Sequence, residues 1–465
     1  MEQNFKKISK SSRNSMMIVL LFGSFVALLA ETFLNNAIPT IMNSLNVSQT
    51  TAQWLTTAYL LVVGLMIPIS AWIFESFQLK SNYLTMMSIF LIGSLICLTA
   101  PNFECLLLGR LIEAVAAGSL MPFTQNVILL LFPKEQRGMA MGITGLVIGF
   151  GPAIGPTISG LILKYFSWRM LFLTLSIASL LVMVAAISVV KNITIPKSRA
   201  TDFVSFVESI IGFGLTLYTL SEVGNTGKVT PILLVLFGLG IVILALFVHR
   251  QLNLVQPLLD VRVFKNWQFD LCSLLSTCSN IAMVAVELLL PLYLQTIRAE
   301  SALTSGLVLM PGAIIMMICN PIAGSLYDKL GVKKISLFGF TMLILGTLPM
   351  LFFNAQTNLL NISICYAIRM IGISFTMMNT FTAGINLVKP NLTAHANAAA
   401  STLRQIGGSF GTAIAMLIVS LTANSSTNKT VALANGFHAA FILLTCLAFV
   451  GMACSLFLPQ NKRYY

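Results

Sequence analysis

The 465-residue chain is 57% hydrophobic and 9% charged, with a mean hydropathy of +0.90. A soluble domain of this size could not cover so much apolar side chain with polar surface, so water-soluble enzymes and binding modules are excluded and lipid is the solvent for most of the chain. The net charge of +13 does not read as a nucleic-acid surface, because the lysines and arginines alternate with the apolar runs instead of clustering.

Crossing about 30 Å of hydrocarbon takes about 20 apolar residues in a helix. Such runs recur near Met17–Ile38, Trp54–Phe74, Tyr83–Ala100, Cys105–Leu131, Met139–Leu163, Leu171–Val190, Phe203–Ser221 and Ile232–Val248. Six more follow near Leu271–Leu294, Gly306–Leu326, Ile335–Phe353, Leu359–Met378, Leu403–Leu421 and Phe437–Phe457, giving about fourteen spans. Period-two alternation is absent and the runs are twice the length of a barrel strand, so an all-α integral membrane fold is expected. The basic start and first run imitate a signal peptide, but the run is too long and lacks a small-residue cleavage site, so it is expected to be retained.

In chain order, the first run carries AETFLNNAIP (Ala30–Pro39) with Glu31, and the second closes on PISAWIFESFQLKS (Pro68–Ser81) with Glu75 and Lys80. The fourth carries Arg110 and, three residues on along one helical face, Glu113. An arginine there costs about 2.5–3.5 kcal/mol on insertion scales, so it must face a partner or a cavity. A structural ion pair and a proton relay both fit the Arg110/Glu113 spacing. The fifth run, GITGLVIGFGPAIGPTISGLI, places Gly145, Gly149, Gly151, Pro152, Gly155 and Pro156 at spacings that let helix backbones touch and that remove amide donors, the properties of a hinge. Trp168-Arg169 follows it, an interfacial aromatic and a base. The ninth run contains Glu287, the tenth ends on PIAGSLYDKLGVKK (Pro321–Lys334), and the twelfth contains Arg369.

Pro68–Ser81 and Pro321–Lys334 lie 253 residues apart and share a proline, a small residue (Ala71, Gly324), an acid (Glu75, Asp328) and a base (Lys80, Lys333) at matching offsets. Arg110 and Arg369 repeat at 259 residues. The chain therefore reads as a duplication: residues 1–200 one six-helix half, 266–465 the other, and 201–265 an inserted helix pair and linker with no repeat partner. Duplicated helical halves build many secondary transporters, with the substrate between them near the midplane.

With a cytoplasmic amino terminus, nineteen bases fall on inward segments: Lys6, Lys7, Lys10, Arg13, Lys80, Lys134, Arg137, Lys191, Lys197, Arg199, Arg250, Arg262, Lys265, Lys329, Lys333, Lys334, Lys389, Lys462 and Arg463. Only Lys164, Arg169, Lys228, Arg298 and Lys429 fall outward, while Arg110, Arg369 and Arg404 lie in or beside spans. Both termini are thus expected in the cytoplasm. The eight cysteines lie mostly inside spans without a CxxC pair and read as packing residues. The three histidines (His249, His395, His438) are scattered, and no metal cluster, nucleophile–base pair, Walker loop or nucleic-acid motif is visible.

At these motifs the chain resembles the major facilitator superfamily, in particular the fourteen-helix drug:proton antiporters of the EmrB/QacA type, over nearly its whole length. GSLYDKLGVKK is similar to the family's loop motif G-x-x-x-D-x-x-G-x-[KR]-[KR], carried by Gly324, Asp328, Gly331, Lys333 and Lys334, with an eroded first copy at Ala71, Glu75 and Gln78. Arg110-Leu-Ile-Glu113-Ala114 is similar to the family's R-x-x-Q-G, and the fifth-run glycines and prolines to the antiporter motif found in exporters. AETFLNNAIP looks like D-x-T-x-x-N-x-A-L-P, with Ala30 at the usual acid position and Glu31 beside it, a form associated with the subgroup resembling lincomycin exporters.

The resemblance implies a major facilitator fold of two six-helix halves plus two inserted helices, in the plasma membrane of a bacterium, monomeric by family default. It implies proton-coupled export of drugs or small amphiphiles with no cofactor beyond the proton gradient, and gating by the loop motif. Transport of a single metabolite is the alternative reading, and a non-transporting sensor or intramembrane enzyme the alternative of another class. Proton coupling needs a carboxyl whose proton affinity changes as a cavity opens and closes. Glu31, Glu113 and Glu287 are the acids well inside predicted spans, and Glu31 is the first candidate. Three such acids in an apolar cavity would suit lipophilic cations, and the subgroup resemblance equally suits neutral antibiotics.

Overall fold

The computed structural model describes residues 9–196, 202–423 and 429–459. Lys6, Lys7, Lys197, Arg199, Lys462 and Arg463 lie outside the described residues, as do the side chains of Asn35, Pro152 and Lys429. Among the described residues fourteen helices are long and apolar enough to cross a membrane.

The helices are α1 (Lys10–Phe33), α2 (Ile38–Leu45), α3 (Gln49–Ser76), α4 (Leu79–Thr99), α5 (Phe103–Leu131), α6 (Arg137–Tyr165) and α7 (Arg169–Val189). They continue as α8 (Phe203–Thr226), α9 (Pro231–Asn253), α10 (Trp267–Thr296), α11 (Ala302–Leu330), α12 (Val332–Thr347), α13 (Leu359–Asn386), α14 (Thr393–Ala423) and α15 (Lys429–Ser455). All but the short α2 supply the spans. Serine, threonine or asparagine caps start many of them: Ser9, Ser48, Asn102, Thr230, Asn266 and Ser301 each accept a bond from a first-turn amide.

The first span ends earlier than the hydropathy predicts. A 3₁₀ turn at Leu34–Asn36 separates α1 from α2, and Pro39 sits in the first turn of α2. Proline cannot donate to the preceding turn, so a continuous helix through Pro39 would lose a bond that the new start does not need. Two other helices outrun their apolar stretches. α13 continues to Asn386 and α14 begins at Thr393, through segments that are polar in sequence yet almost wholly buried.

α1 and α3 to α7 pack as one bundle, α10 to α15 as another, and α6 against α11 is the most extensive contact between them. The bundles repeat each other in detail. Gly93 and Gly109 let α4 and α5 approach at backbone distance, as Gly339 and Gly372 do for α12 and α13. α8 packs on α3 and α14, and α9 lies outside α8. At the end of this inserted hairpin, Arg250 grips Asp202 with two bonds of 2.7 and 2.9 Å. The guanidinium holds the Asp202 carboxyl down at about 2.

Candidate functional site

Arg110 and Glu113 are fully buried on α5 and paired at 2.8 Å, one helical turn apart. Arg110 Nη1 also donates to the Ala30 carbonyl of α1 at 3.1 Å, and its guanidinium lies 3.8 Å from the Tyr59 ring centroid of α3. The Tyr59 hydroxyl donates to Ala27 O, and Ser94 on α4 donates to the second Glu113 oxygen at 2.5 Å. Four helices thus meet on one buried charge pair.

Glu31 belongs to the same cluster but differs from Glu113. Ala30, at the register position of the usual family acid, is fully buried and lends its carbonyl to Arg110. The next residue points about 100° away, so Glu31 is half-buried, makes no hydrogen bond or ion pair among the described residues, and interacts with Arg110 through space. The second bundle repeats this arrangement. Arg369 of α13 is fully buried and donates to the Ala282 carbonyl of α10, while half-buried Glu287 on α10 interacts through space with Arg369 and with Glu31 across the bundle interface. The offset between Glu31 and Glu287, 256 residues, falls between those of the loop and arginine repeats. That offset is the signal that makes Glu287 the counterpart of Glu31.

The glycines of α6 face two partners. An added Cβ at Gly145 or Gly149 would strike Met378 or Met316 of the second bundle, whereas at Gly151 or Gly155 it would strike Leu28 or Thr32 of α1. The Pro156 carbonyl accepts from Asn36 Nδ2 at 2.7 Å, which ties the α1–α2 break to this helix. α6 therefore leans on the second bundle at one end and on its own bundle at the other.

The face where α1 begins and most bases lie is closed by contacts between bundles. Asp328 accepts from the Gly138 and Met139 amides at 2.9 Å each, capping α6 from α11, and Gly324 meets Gly138 backbone to backbone. A carboxylate there satisfies two orphan amides and faces the positive end of the helix dipole. Gly331 has φ of +82°, a conformation that disfavours any side chain, and ends α11. Arg137 donates to Asn386 at 2.8 Å and Asn397 to Pro122 O and Asn126 at 2.8 Å each. Lys80 caps the last turn of α7 at Ile187 O, and Lys333 makes no side-chain hydrogen bond or ion pair among the described residues.

Glu75, the acid of the eroded loop copy, lies 3.6 Å from His395 Nε2 at the start of α14. The histidines therefore are not all idle: His395 is buried at the bundle interface and accepts from the Asp260 amide of the linker through Nδ1. Sequence reasoning missed Tyr59, Ser94, Asn386, Asn397 and His395. The repeat could have located the last, since it starts the helix that corresponds to α6.

Replacing Asp328 with asparagine keeps the shape but removes the charge and one acceptor. A carboxylate charge at a helix N-terminus contributes about 0.3–2 kcal/mol, so D328N is expected to raise the population open at this face roughly 2–30-fold. A cysteine in place of buried Asn126 would then react faster with a soluble thiol reagent in the D328N background than without it. An unchanged labelling rate would mean that Asp328 does not hold this face shut.

The family description Major Facilitator Superfamily matches residues 20–412. An uncharacterized MFS-type transporter, YcnB of Bacillus subtilis (strain 168), is 39% identical over 454 residues, covering 97% of this chain and 96% of its own. The lincomycin resistance protein LmrB of Listeria monocytogenes serovar 1/2a is 35% identical over 451 residues, covering 95% and 96%. Among solved structures, the proton:xylose symporter XylE aligns with a TM-score of 0.66 at 14% identity, covering 98% of each chain.

Proposed function

Because this chain belongs to the Major Facilitator Superfamily, and so is a multi-pass membrane transporter and not an enzyme, we propose that it exports drugs or other small amphiphiles from the cytoplasm in exchange for protons, by alternating access. One observation carries the reading. The hydrogen bonds that join the two bundles at Arg137, Gly138, Met139 and Asn397 lie toward the basic face, while the half-buried carboxyls Glu31 and Glu287 sit in the opposite half with no hydrogen-bonded partner among the described residues. That is the layout of a pump shut toward one side and presenting its proton carriers to the other.

The excess of bases on the closed face supports a cytoplasmic assignment for it, and in this reading both termini lie on that side and the protein works as a monomer in a bacterial plasma membrane. Residues 1–200 and 266–465 are then the rocking halves, with 201–265 riding on them. Similarity to proteins named for lincomycin resistance supports lincosamides as the first compounds to try. Expression in a bacterium stripped of its own pumps, challenged with lincomycin and a panel of amphiphilic drugs, tests the reading. Resistance should rise, and a protonophore should restore drug accumulation. Unaltered sensitivity across the panel, or extrusion indifferent to the protonophore, would refute proton-driven drug export.

A further inference from the structure

Arg110, Arg369 and Arg404 stand deep in their helices, well away from either end, and two of them have acids: Arg110 pairs with Glu113, and Arg369 interacts with Glu287. The third, Arg404 on α14, has none. Its Nη1 donates to the Met378 thioether sulfur at 3.5 Å, its Nη2 to Ser401 Oγ at 3.3 Å, and its plane lies 4.2 Å from the Phe381 ring centroid. The Nε is buried without a partner, and no acidic side chain among the described residues lies within ion-pair distance or interacts with the group through space. A thioether, a hydroxyl and a ring face are weak, uncharged partners for a fork that matches a carboxylate.

The position of Arg404 is as informative as its partners. It stands eleven residues into α14, about 16 Å along the helix axis, and is half-buried. Its guanidinium lies against Met378 and Phe381 of α13, and Asn280 of α10 donates to its carbonyl at 2.9 Å, so the residue faces its neighbours in the bundle and not lipid. Met378, which receives Nη1, also packs against Gly145 of α6. An unneutralised cation therefore sits where α10, α13 and α14 approach the glycine stripe of the partner bundle. A charge kept in such a place without a counterion is costly unless a ligand supplies one.

We propose that Arg404 is the anion subsite of the transport cavity, and that preferred substrates are amphiphiles bearing a carboxylate or similar singly charged anionic group, zwitterions included. This rests on the export reading and sharpens it. Acids alone point to lipophilic cations, whereas Glu31, Glu113 and Glu287 are accompanied by the guanidiniums of Arg110, Arg369 and Arg404. Because Met378 touches both the guanidinium and Gly145, an anion drawing Nη1 off the sulfur would also loosen the contact between α13 and α6.

The test compares rhodamine B, which carries a free carboxylate, with its ethyl ester, which does not. Fluorescence polarisation on the purified full-length protein should show rhodamine B binding about tenfold more tightly than the ester, the discrimination expected of one charge-assisted contact. In R404Q the ratio should fall close to one, and in R404K it should be intermediate because a point charge replaces the fork. Equal binding of the two dyes by the wild-type protein, tighter binding of the ester, or a ratio that survives in R404Q overturns the proposal. The wild-type comparison decides the matter even if R404Q does not fold. Protonophore-sensitive movement of either dye in proteoliposomes is scored separately, so absent transport would count against export, and absent anion preference against the subsite.

Discussion

Glu31→Gln is expected to abolish proton-driven export while leaving the protein inserted and folded. Glutamine keeps the size of the side chain and cannot carry a proton. Glu31 is half-buried and makes no hydrogen bond among the described residues, so the exchange breaks no packed network. The stability change should stay within about 0.5 kcal/mol, as for substitutions away from structural contacts. Drug resistance in cells and drug-induced proton movement in inverted vesicles should both fall to background, while exchange of labelled for unlabelled drug, which needs no proton, should continue. Resistance and proton movement at wild-type levels in E31Q would remove Glu31 from the mechanism. Glu287→Gln, its counterpart in the second bundle, is a useful comparison because the two carboxyls interact across the interface.

The second large effect is on stability. Arg110→Met should destabilise the protein by about 3–5 kcal/mol, because it strands Glu113 as an uncompensated charge with no access to water. The same substitution removes the donor to Ala30 O and the cation above the Tyr59 ring. Pairing it with Glu113→Leu should recover much of the loss, since replacing both members of a buried ion pair by hydrophobic residues of similar volume is often close to neutral. Thermal or detergent-induced unfolding of the purified single and double variants measures this. An R110M protein as stable as the wild type, or a double variant no better than R110M, would show that the pair does not anchor α1, α4 and α5. We therefore propose opposite work for Glu31 and Glu113: Glu113 is held by Arg110 and Ser94 as a fixed strut, and Glu31, without such bonds among the described residues, is the group that exchanges a proton.

Hydropathy found the helices that touch lipid and misjudged those that touch protein. The run read as Leu403–Leu421 is the lipid-matched part of a helix that begins at Thr393, whose first ten residues are polar or small and buried against other helices. The end of α13, from Asn379 to Asn386, escaped notice for the same reason. These are the segments that carry His395, Asn397 and Asn386 into the interface between bundles. An apolar count registers transfer into hydrocarbon, and a helix end buried in protein does not need it.

What the sequence determined by itself is the membrane architecture, the family, the duplication and the shortlist of embedded charges. Spans are written in runs of local composition, repeats in fixed offsets such as Pro68 to Pro321, and an arginine or glutamate amid leucines is conspicuous without coordinates. Only the tertiary structure decided which charges neutralise one another. Glu113 takes Ser94 from another helix, Arg110 takes Ala30 and Tyr59 from two more, Glu75 finds His395 in the opposite bundle, and Arg404 finds no acid among the described residues. Coulomb and hydrogen-bond energies depend on separations of a few ångströms, and residues hundreds of positions apart acquire such separations only when the helices pack.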